Sequence, residues 1–293
     1  MPFAFCFLLV AFCWLLVAGC WLPFAHLFMH SHFLKFRAGR VHYLQFGTGP
    51  DLLFALHGFA DRARMFALLE PALARQYTVV AIDWPFHGQT EWPETSFSKV
   101  HLLEIIQEIA RQMGKTRFSL LAYSFGARLA QAMLPELGPQ LDRLYLLAPD
   151  GVKTKGMTMA TRTPMWMRQV LFRALRRPGW FVTMLGWGHR VRVVPPMIHH
   201  FLSNNLTRPE RFQRTFGCWM SMDSFYLGRR KMKALLQETG LRTDIYVGTR
   251  DQVVTLKNLQ HMVEGLPNVR LHLLDEGHRL IGERLVAALI KNQ

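Results

Sequence analysis

Ser124 stands in Ala122-Tyr123-Ser124-Phe125-Gly126, where an apolar run over Phe118–Ala122 gives way to helical spacing from Phe125 to Leu134. A serine hydroxyl is a weak nucleophile at neutral pH. It needs a neighbouring base, and the base needs a carboxylate to fix its tautomer. A sharp strand-to-helix turn would hold the serine clear of the backbone, provided that small residues lie two before and two after it, as Ala122 and Gly126 do. Candidate partners also stand at the ends of apolar runs. Asp251 closes Gly248-Thr249-Arg250-Asp251 after Ile245–Val247, and His278 closes Glu276-Gly277-His278 after Val269–Leu274. Asp150, ending Leu147-Ala148-Pro149-Asp150, is the rival carboxylate; either aspartate could instead serve only as a helix cap or turn residue.

These residues need a scaffold, and the pattern around them supplies one. Arg40–Phe46 alternates as a strand and is followed by the turn Gly47-Thr48-Gly49-Pro50. Leu52–Leu56 is a short continuous apolar run, as a strand buried on both faces should be, Thr78–Ile82 is the next buried strand, and Phe118–Ala122, Leu144–Leu147, Ile245–Val247 and Val269–Leu274 complete the strand set. Helical spacing separates them over Ala60–Arg75, over Val100–Met113 before Gly114, and from Phe125 to a stop at Pro135. Strands alternating with helices predict an α/β fold with a mainly parallel central sheet and helices on both faces.

On these residues the chain resembles the α/β-hydrolase family, and in particular its serine esterase and lipase-like members. Ala122 replaces the first glycine of the usual Gly-x-Ser-x-Gly. His57-Gly58-Phe59, following Leu52–Leu56, occupies the place of the family's oxyanion loop. The resemblance thus implies the amides of Phe59 and Phe125 as oxyanion donors. Asp83-Trp84-Pro85-Phe86-His87-Gly88-Gln89-Thr90 is similar to the family's Asp-x-Pro-Gly-x-Gly-x-Ser loop, with Phe86 for a glycine and Thr90 for the serine. That loop reads as structural, Asp83 as a turn-forming carboxylate and His87 as a packed or solvated histidine. The family order of nucleophile, acid and base implies Ser124, Asp251 and His278 as the catalytic residues. A serine nucleophile argues against the dehalogenase and epoxide-hydrolase branches, which use an aspartate there. No cofactor is implied. His189, His199, His200 and His261 lack partners at metal-ligand spacing, so no metal is predicted.

Two regions depart from the rhythm. Between Asp150 and Lys233, sixteen Lys and Arg face only Glu210 and Asp223, so residues 151–233 carry +14 of the chain's net +15. By resemblance this insertion after the sixth strand is a helical cap, and its Met, Trp and Phe residues are expected to shape an apolar acyl pocket. Its charge suits an anionic membrane surface or a phosphate-bearing substrate; no nucleic-acid-binding module accompanies it. The other region is the N-terminus, where no charged residue precedes Lys35 and Phe3–Met29 is almost wholly apolar. This predicts a single-pass membrane anchor over residues 1–32, with a lipoprotein or signal segment (Val17-Ala18-Gly19-Cys20) and a buried or interfacial helix as the alternatives. Lys35, Arg37 and Arg40 behind the anchor would place the catalytic domain in the cytoplasm. Cys6, Cys13, Cys20 and Cys218 form no disulfide framework.

The expected organisation is an anchor (1–32), an α/β core (33–150 and 234–293) and a basic cap (151–233). The expected activity is hydrolysis of lipid-like acyl esters through an acyl-enzyme. Thioester cleavage or acyl transfer by the same triad, or a catalytically silent lipid-binding module, are the alternatives.

Overall fold

The computed structural model describes residues 29–150, 163–175, 179–194, 196, 199, 203–204, 206–256, 259 and 263–292. Eight strands form one sheet: β1 (His30–Phe36), β2 (Gly39–Phe46), β3 (Asp51–Leu56), β4 (Tyr77–Ile82), β5 (Phe118–Tyr123), β6 (Leu141–Leu147), β7 (Arg242–Gly248) and β8 (Val269–Leu274). Their order is β1-β2-β4-β3-β5-β6-β7-β8, antiparallel from β1 through β4 and parallel from β4 onward.

The apolar runs are strands because both sheet faces are covered. Along β3, Leu52, Phe54 and Leu56 enter one hydrophobic cluster while Leu53 and Ala55 enter the other. In β5, Leu120 and Ala122 alternate with Leu121 and Tyr123 in the same way. The first cluster is closed by α2 (Lys99–Gln112) and α3 (Phe125–Leu137), the second by α1 (Glu70–Leu73) and the C-terminal helix α8 (Glu283–Lys291). Ser98 caps α2 in a reciprocal box with His101.

Two helix boundaries differ from the sequence pattern. Ala60–Arg75 is not one helix but a 3-10 stretch, Ala63–Leu69, followed by the single turn of α1 with Pro71 in its first turn, where a missing N–H costs no bond. α3 runs through Pro135 to Leu137 instead of stopping there. Pro135 falls in the last turn, and the carbonyl of the preceding turn that loses its donor is that of Gln131.

β1 corrects the reading of the N-terminus. His30–His32, assigned to an anchor, are strand residues paired with Gln45, Leu44 and Tyr43. Lys35 and Arg40, read as a positive flank, face each other across the tight β1–β2 hairpin, and Arg40 bonds Glu91 at 2.5 Å. Among the described residues no helix is long and apolar enough to cross a membrane. The expectation of a single-pass anchor with a cytoplasmic catalytic domain is withdrawn on these findings; residues 1–28, which held most of it, lie outside the described residues.

Between β6 and β7 the described helices are α4 (Met165–Leu175), α5 (Gly179–Arg190), α6 (Pro209–Ser221) and α7 (Arg229–Thr239). They hold a small cluster of their own around Leu175, Leu185, Phe212 and Phe216. α6 also reaches the core: the Ser221 hydroxyl accepts the Phe97 N–H at 2.8 Å, and a Cβ added at Gly217 would lie 2.3 Å from the Phe86 ring. The fold therefore presses this helix, through a glycine, onto the loop that follows β4.

Candidate active site

Ser124 sits at the tip between β5 and α3 with φ 51° and ψ −115°, a conformation that L residues rarely adopt. The turn is held by the Ser124 N–H on the Leu147 carbonyl (2.9 Å) and by the Ala127 N–H on the Ser124 carbonyl (3.0 Å). The need for a small residue at 126 is steric: a Cβ there would stand 2.2 Å from the Leu56 carbonyl oxygen. Sheet register thus sets how closely the turn approaches β3, and Gly126 allows it.

The three residues singled out by the sequence meet at the C-terminal ends of their strands. Ser124 Oγ–H donates to His278 Nε2 at 2.9 Å, and His278 Nδ1–H donates to Asp251 Oδ2 at 2.8 Å. The other Asp251 oxygen accepts the N–H groups of Val253 (2.7 Å) and Val254 (2.9 Å), so the buried carboxylate is anchored while facing the imidazole. Tyr123 adds a bond absent from the sequence argument, its hydroxyl donating to the His278 carbonyl at 3.1 Å. Burial pushes the Tyr123 phenol up to about 12, with Asp61 and Asp251 adding to the shift. The rival, Asp150, is engaged elsewhere: its carboxylate accepts from Arg128 at 3.0 Å and its N–H bonds the Ser124 carbonyl at 3.2 Å. It supports the turn and does not meet His278.

Phe59 and Phe125 flank the serine, with ring centroids 6.4 Å apart. Phe125 is the first residue of α3, where helical N–H groups have no intrahelical acceptor. The loop bearing Phe59 is clamped from the segment after β4. Trp84 Nε1–H donates to the His57 carbonyl at 3.0 Å, and the Ala60 N–H donates to His87 Nε2 at 3.2 Å. His87 is therefore packed, as expected, but it also fixes this loop, which turns at Ala60 with φ 65°. To accept that bond His87 must be neutral at Nε2, and burial lowers its pKa well below the usual histidine value. Burial likewise lowers His57 to about 4. Asp83 is the structural hub expected of it, accepting from His42 Nδ1–H (2.6 Å), the Ala63 N–H (2.6 Å) and the Gln89 N–H (3.1 Å). Gly88, at φ 53°, is required beside it, since a Cβ would overlap that carboxylate.

Ser124 and His278 open into a cleft of about 840 Å³, whose other walls include Phe59, Met65, Leu68 and Ile281. Its described lining comes from the segment after β3, from Tyr123 and from the segment around His278, and holds no aromatic or methionine of the cap; residues 151–162, with Met157 and Met159, lie outside the described residues. Asp61, on the clamped loop, was not anticipated. Its half-buried carboxyl is raised by burial, an effect opposed by Arg279, His278 and Arg214. Sequence spacing gave no signal for it, because its place depends on the turn at Ala60. Among the described residues no group of His, Cys, Asp and Glu could hold a metal ion; His200 and His261 lie outside them.

Comparison with known proteins agrees with this geometry. Residues 51–195 match the α/β-hydrolase fold family. A soluble epoxide hydrolase of Corynebacterium sp. is 29% identical over 108 residues, 37% of this chain and 37% of that enzyme. The chain matches about a third of the length of such curated relatives. Among solved structures, a thioesterase domain from the curacin biosynthetic pathway superposes with a TM-score of 0.64 at 19% identity, covering 90% of this chain and 98% of that one. A membrane phospholipase A described as a bacterial virulence factor superposes with a TM-score of 0.65 at 18% identity, covering 98% and 96%. With its sheet order, its strained serine turn and this family match together, the chain belongs to the α/β-hydrolase fold family.

Proposed function

We propose that the protein is a serine hydrolase that cleaves carboxylic esters with an apolar acyl group through an acyl-enzyme. The observation that carries this reading is the unbroken relay from Ser124 Oγ through His278 to Asp251 at 2.9 and 2.8 Å. Ser124 Oγ attacks the acyl carbonyl carbon while His278 Nε2 takes its proton. The Phe59 and Phe125 amides receive the oxyanion, and His278 returns the proton to the leaving oxygen as the C–O bond breaks. Water then gives a proton to His278, attacks the acyl carbon and frees Ser124, which recovers the proton. The protein's part needs no cofactor.

An apolar acyl chain fits against Met65, Leu68 and Ile281, beside the nucleophile. The helices between β6 and β7 act in this reading as a cap that covers the approach to the cleft without building its floor. Thioesters are within reach of the same chemistry, since the leaving atom changes and the relay does not. The serine also separates the chain from epoxide-hydrolase and dehalogenase chemistry, despite the partial likeness to such enzymes.

The test is hydrolysis of p-nitrophenyl esters from acetate to palmitate by wild type and Ser124→Ala, together with labelling by a fluorophosphonate. Wild type should label and turn over, and Ser124→Ala should lose at least about a thousandfold in kcat. Folded wild-type protein that neither labels nor hydrolyses would refute the proposal.

A further inference from the structure

A second cavity of about 470 Å³ adjoins the catalytic cleft, the two sharing Ala60 and Asp61 as a common wall. Its lining joins the loop after β4 to helix α6, with Phe86, Trp92, Glu210, Gln213 and Arg214 facing Asp61. Arg214 places its guanidinium carbon 5.8 Å from the centre of the Phe59 ring, on the residue whose amide serves the oxyanion. Its Nε is buried and has no hydrogen-bond partner among the described residues. Burial accordingly makes its charged form costly, lowering its pKa, with Arg211 adding to that and Asp61 and Glu210 opposing it.

The charges around both cavities are unbalanced. Arg62 and Arg214 line the second, and Arg64 and Arg279 line the first. None of the four makes an ion pair among the described residues. The facing acids are Asp61, Glu210 and Glu91, and Glu91 is already bonded to Arg40 at 2.5 Å. A partly desolvated guanidinium with an unused donor, beside an apolar ring, is the arrangement that an anionic oxygen completes with charge-assisted hydrogen bonds.

We infer that the second cavity is the leaving-group subsite and that Arg214 selects substrates whose leaving group carries a carboxylate or phosphate. This rests on the serine-hydrolase reading, because it takes the acyl carbon to be at Ser124 and the acyl chain along Met65 and Leu68. The leaving group then passes Ala60–Asp61 into the polar cavity. Arg214 acts there as a specificity-determining residue: it touches the leaving group and takes no part in the proton transfers. The apolar and anionic halves of one substrate are thereby sorted to opposite sides of the clamped loop.

The experiment compares hexanoyl esters of 3-hydroxybenzoate, of its neutral isostere 3-hydroxybenzamide, and of 3-hydroxyphenyl phosphate. Each is assayed with wild type, Arg214→Gln, Arg214→Lys and, as a control in the acyl cleft, Arg64→Gln. Wild type should favour one or both anionic esters in kcat/KM by about tenfold or more, the effect of one charge-assisted hydrogen bond. Arg214→Gln should abolish that preference, lowering kcat/KM for the anionic esters about tenfold more than for the benzamide ester, and Arg214→Lys should restore part of it. Which anionic ester is preferred distinguishes a carboxylate from a phosphate leaving group. Equal turnover of all three esters by wild type overturns the inference and leaves the serine-hydrolase reading standing. So does a preference that survives in Arg214→Gln, or a loss that falls equally on the neutral ester. No cleavage of any ester by folded protein removes both.

Discussion

Mild acid should destabilise this fold through His57. The side chain is fully buried, stacked on Trp84 at 5.3 Å, with its Nδ1–H on the Gly58 carbonyl at 2.8 Å and its Nε2 unbonded. Burial depresses its pKa to about 4, whereas the unfolded chain protonates it near the ordinary value of about 6.5. Between those values the unfolded state binds a proton that the folded state refuses, so stability falls as pH falls, by about 1.4 kcal/mol per pH unit. From pH 6.5 to pH 5 the loss is about 1.6 kcal/mol from His57 alone. His87, also depressed by burial, acts in the same direction. Asp61 acts in the opposite one, because its raised pKa makes the folded state the better proton acceptor. The measurement is therefore a difference: urea unfolding at pH 7, 6 and 5 for wild type and for His57→Asn. Asp61 and His87 are common to both proteins, and the variant should lose about 1 kcal/mol per unit from the slope averaged over pH 7 to 5. A variant whose slope matches that of wild type would refute the argument.

Two further predictions probe how the inserted helices are held. Gly217→Ala would put a methyl group into the Phe86 ring and should cost about 1–3 kcal/mol, seen as a lowered Tm. Phe86→Gly in that background should recover part of the loss, since it removes both the clash and a φ of 68° on a bulky residue; a double variant worse than Gly217→Ala would contradict this packing. Arg168 is fully buried and donates to the carbonyls of Thr163 and Trp219 and to Asp223. Arg168→Met should cost about 3 kcal/mol and expose α4 and α6 to limited proteolysis before the sheet. Unchanged protection of those helices would show that the buried guanidinium does not tie them.

What the sequence made legible follows from periodicity and strand ends. β3 to β7 stand out because strands buried on both faces carry short apolar runs, whereas β8 is an edge strand with no fully buried residue; the triad stands out because each member follows a strand. β1 did not, since His30-Ser31-His32-Phe33-Leu34-Lys35-Phe36 is an edge strand with one buried residue, adjoining a longer apolar stretch that dominated the reading. The 3-10 stretch at Ala63–Leu69 was hidden because its buried residues, Ala63, Phe66 and Leu69, recur every three positions, a spacing that an α-helix shares. Asp61, His87 and Arg214 owe their roles to contacts between segments far apart in the chain. Composition gives no hint of such contacts.

The charge of the insertion changes meaning once its residues are placed. Read as a sum, +14 over residues 151–233 suggests a uniform cationic face. Individually, Arg168 is an internal strut and Arg214 rests over the Phe59 ring, so neither is available to a flat anionic surface. Among the described residues, α6 meets the core through Ser221 on Phe97, Gly217 on Phe86 and Arg214 over Phe59, while Phe225, Leu227 and Met232, farther along the insertion, enter the main hydrophobic cluster. The relay itself draws every member from the sheet's own strand ends, while α6 meets the loops beside it through Phe59, Phe86 and Phe97. Changes in α6 should accordingly alter which substrates are accepted more than the proton transfers at Ser124, and Arg214→Gln against Ser124→Ala is the pair of variants that separates the two effects.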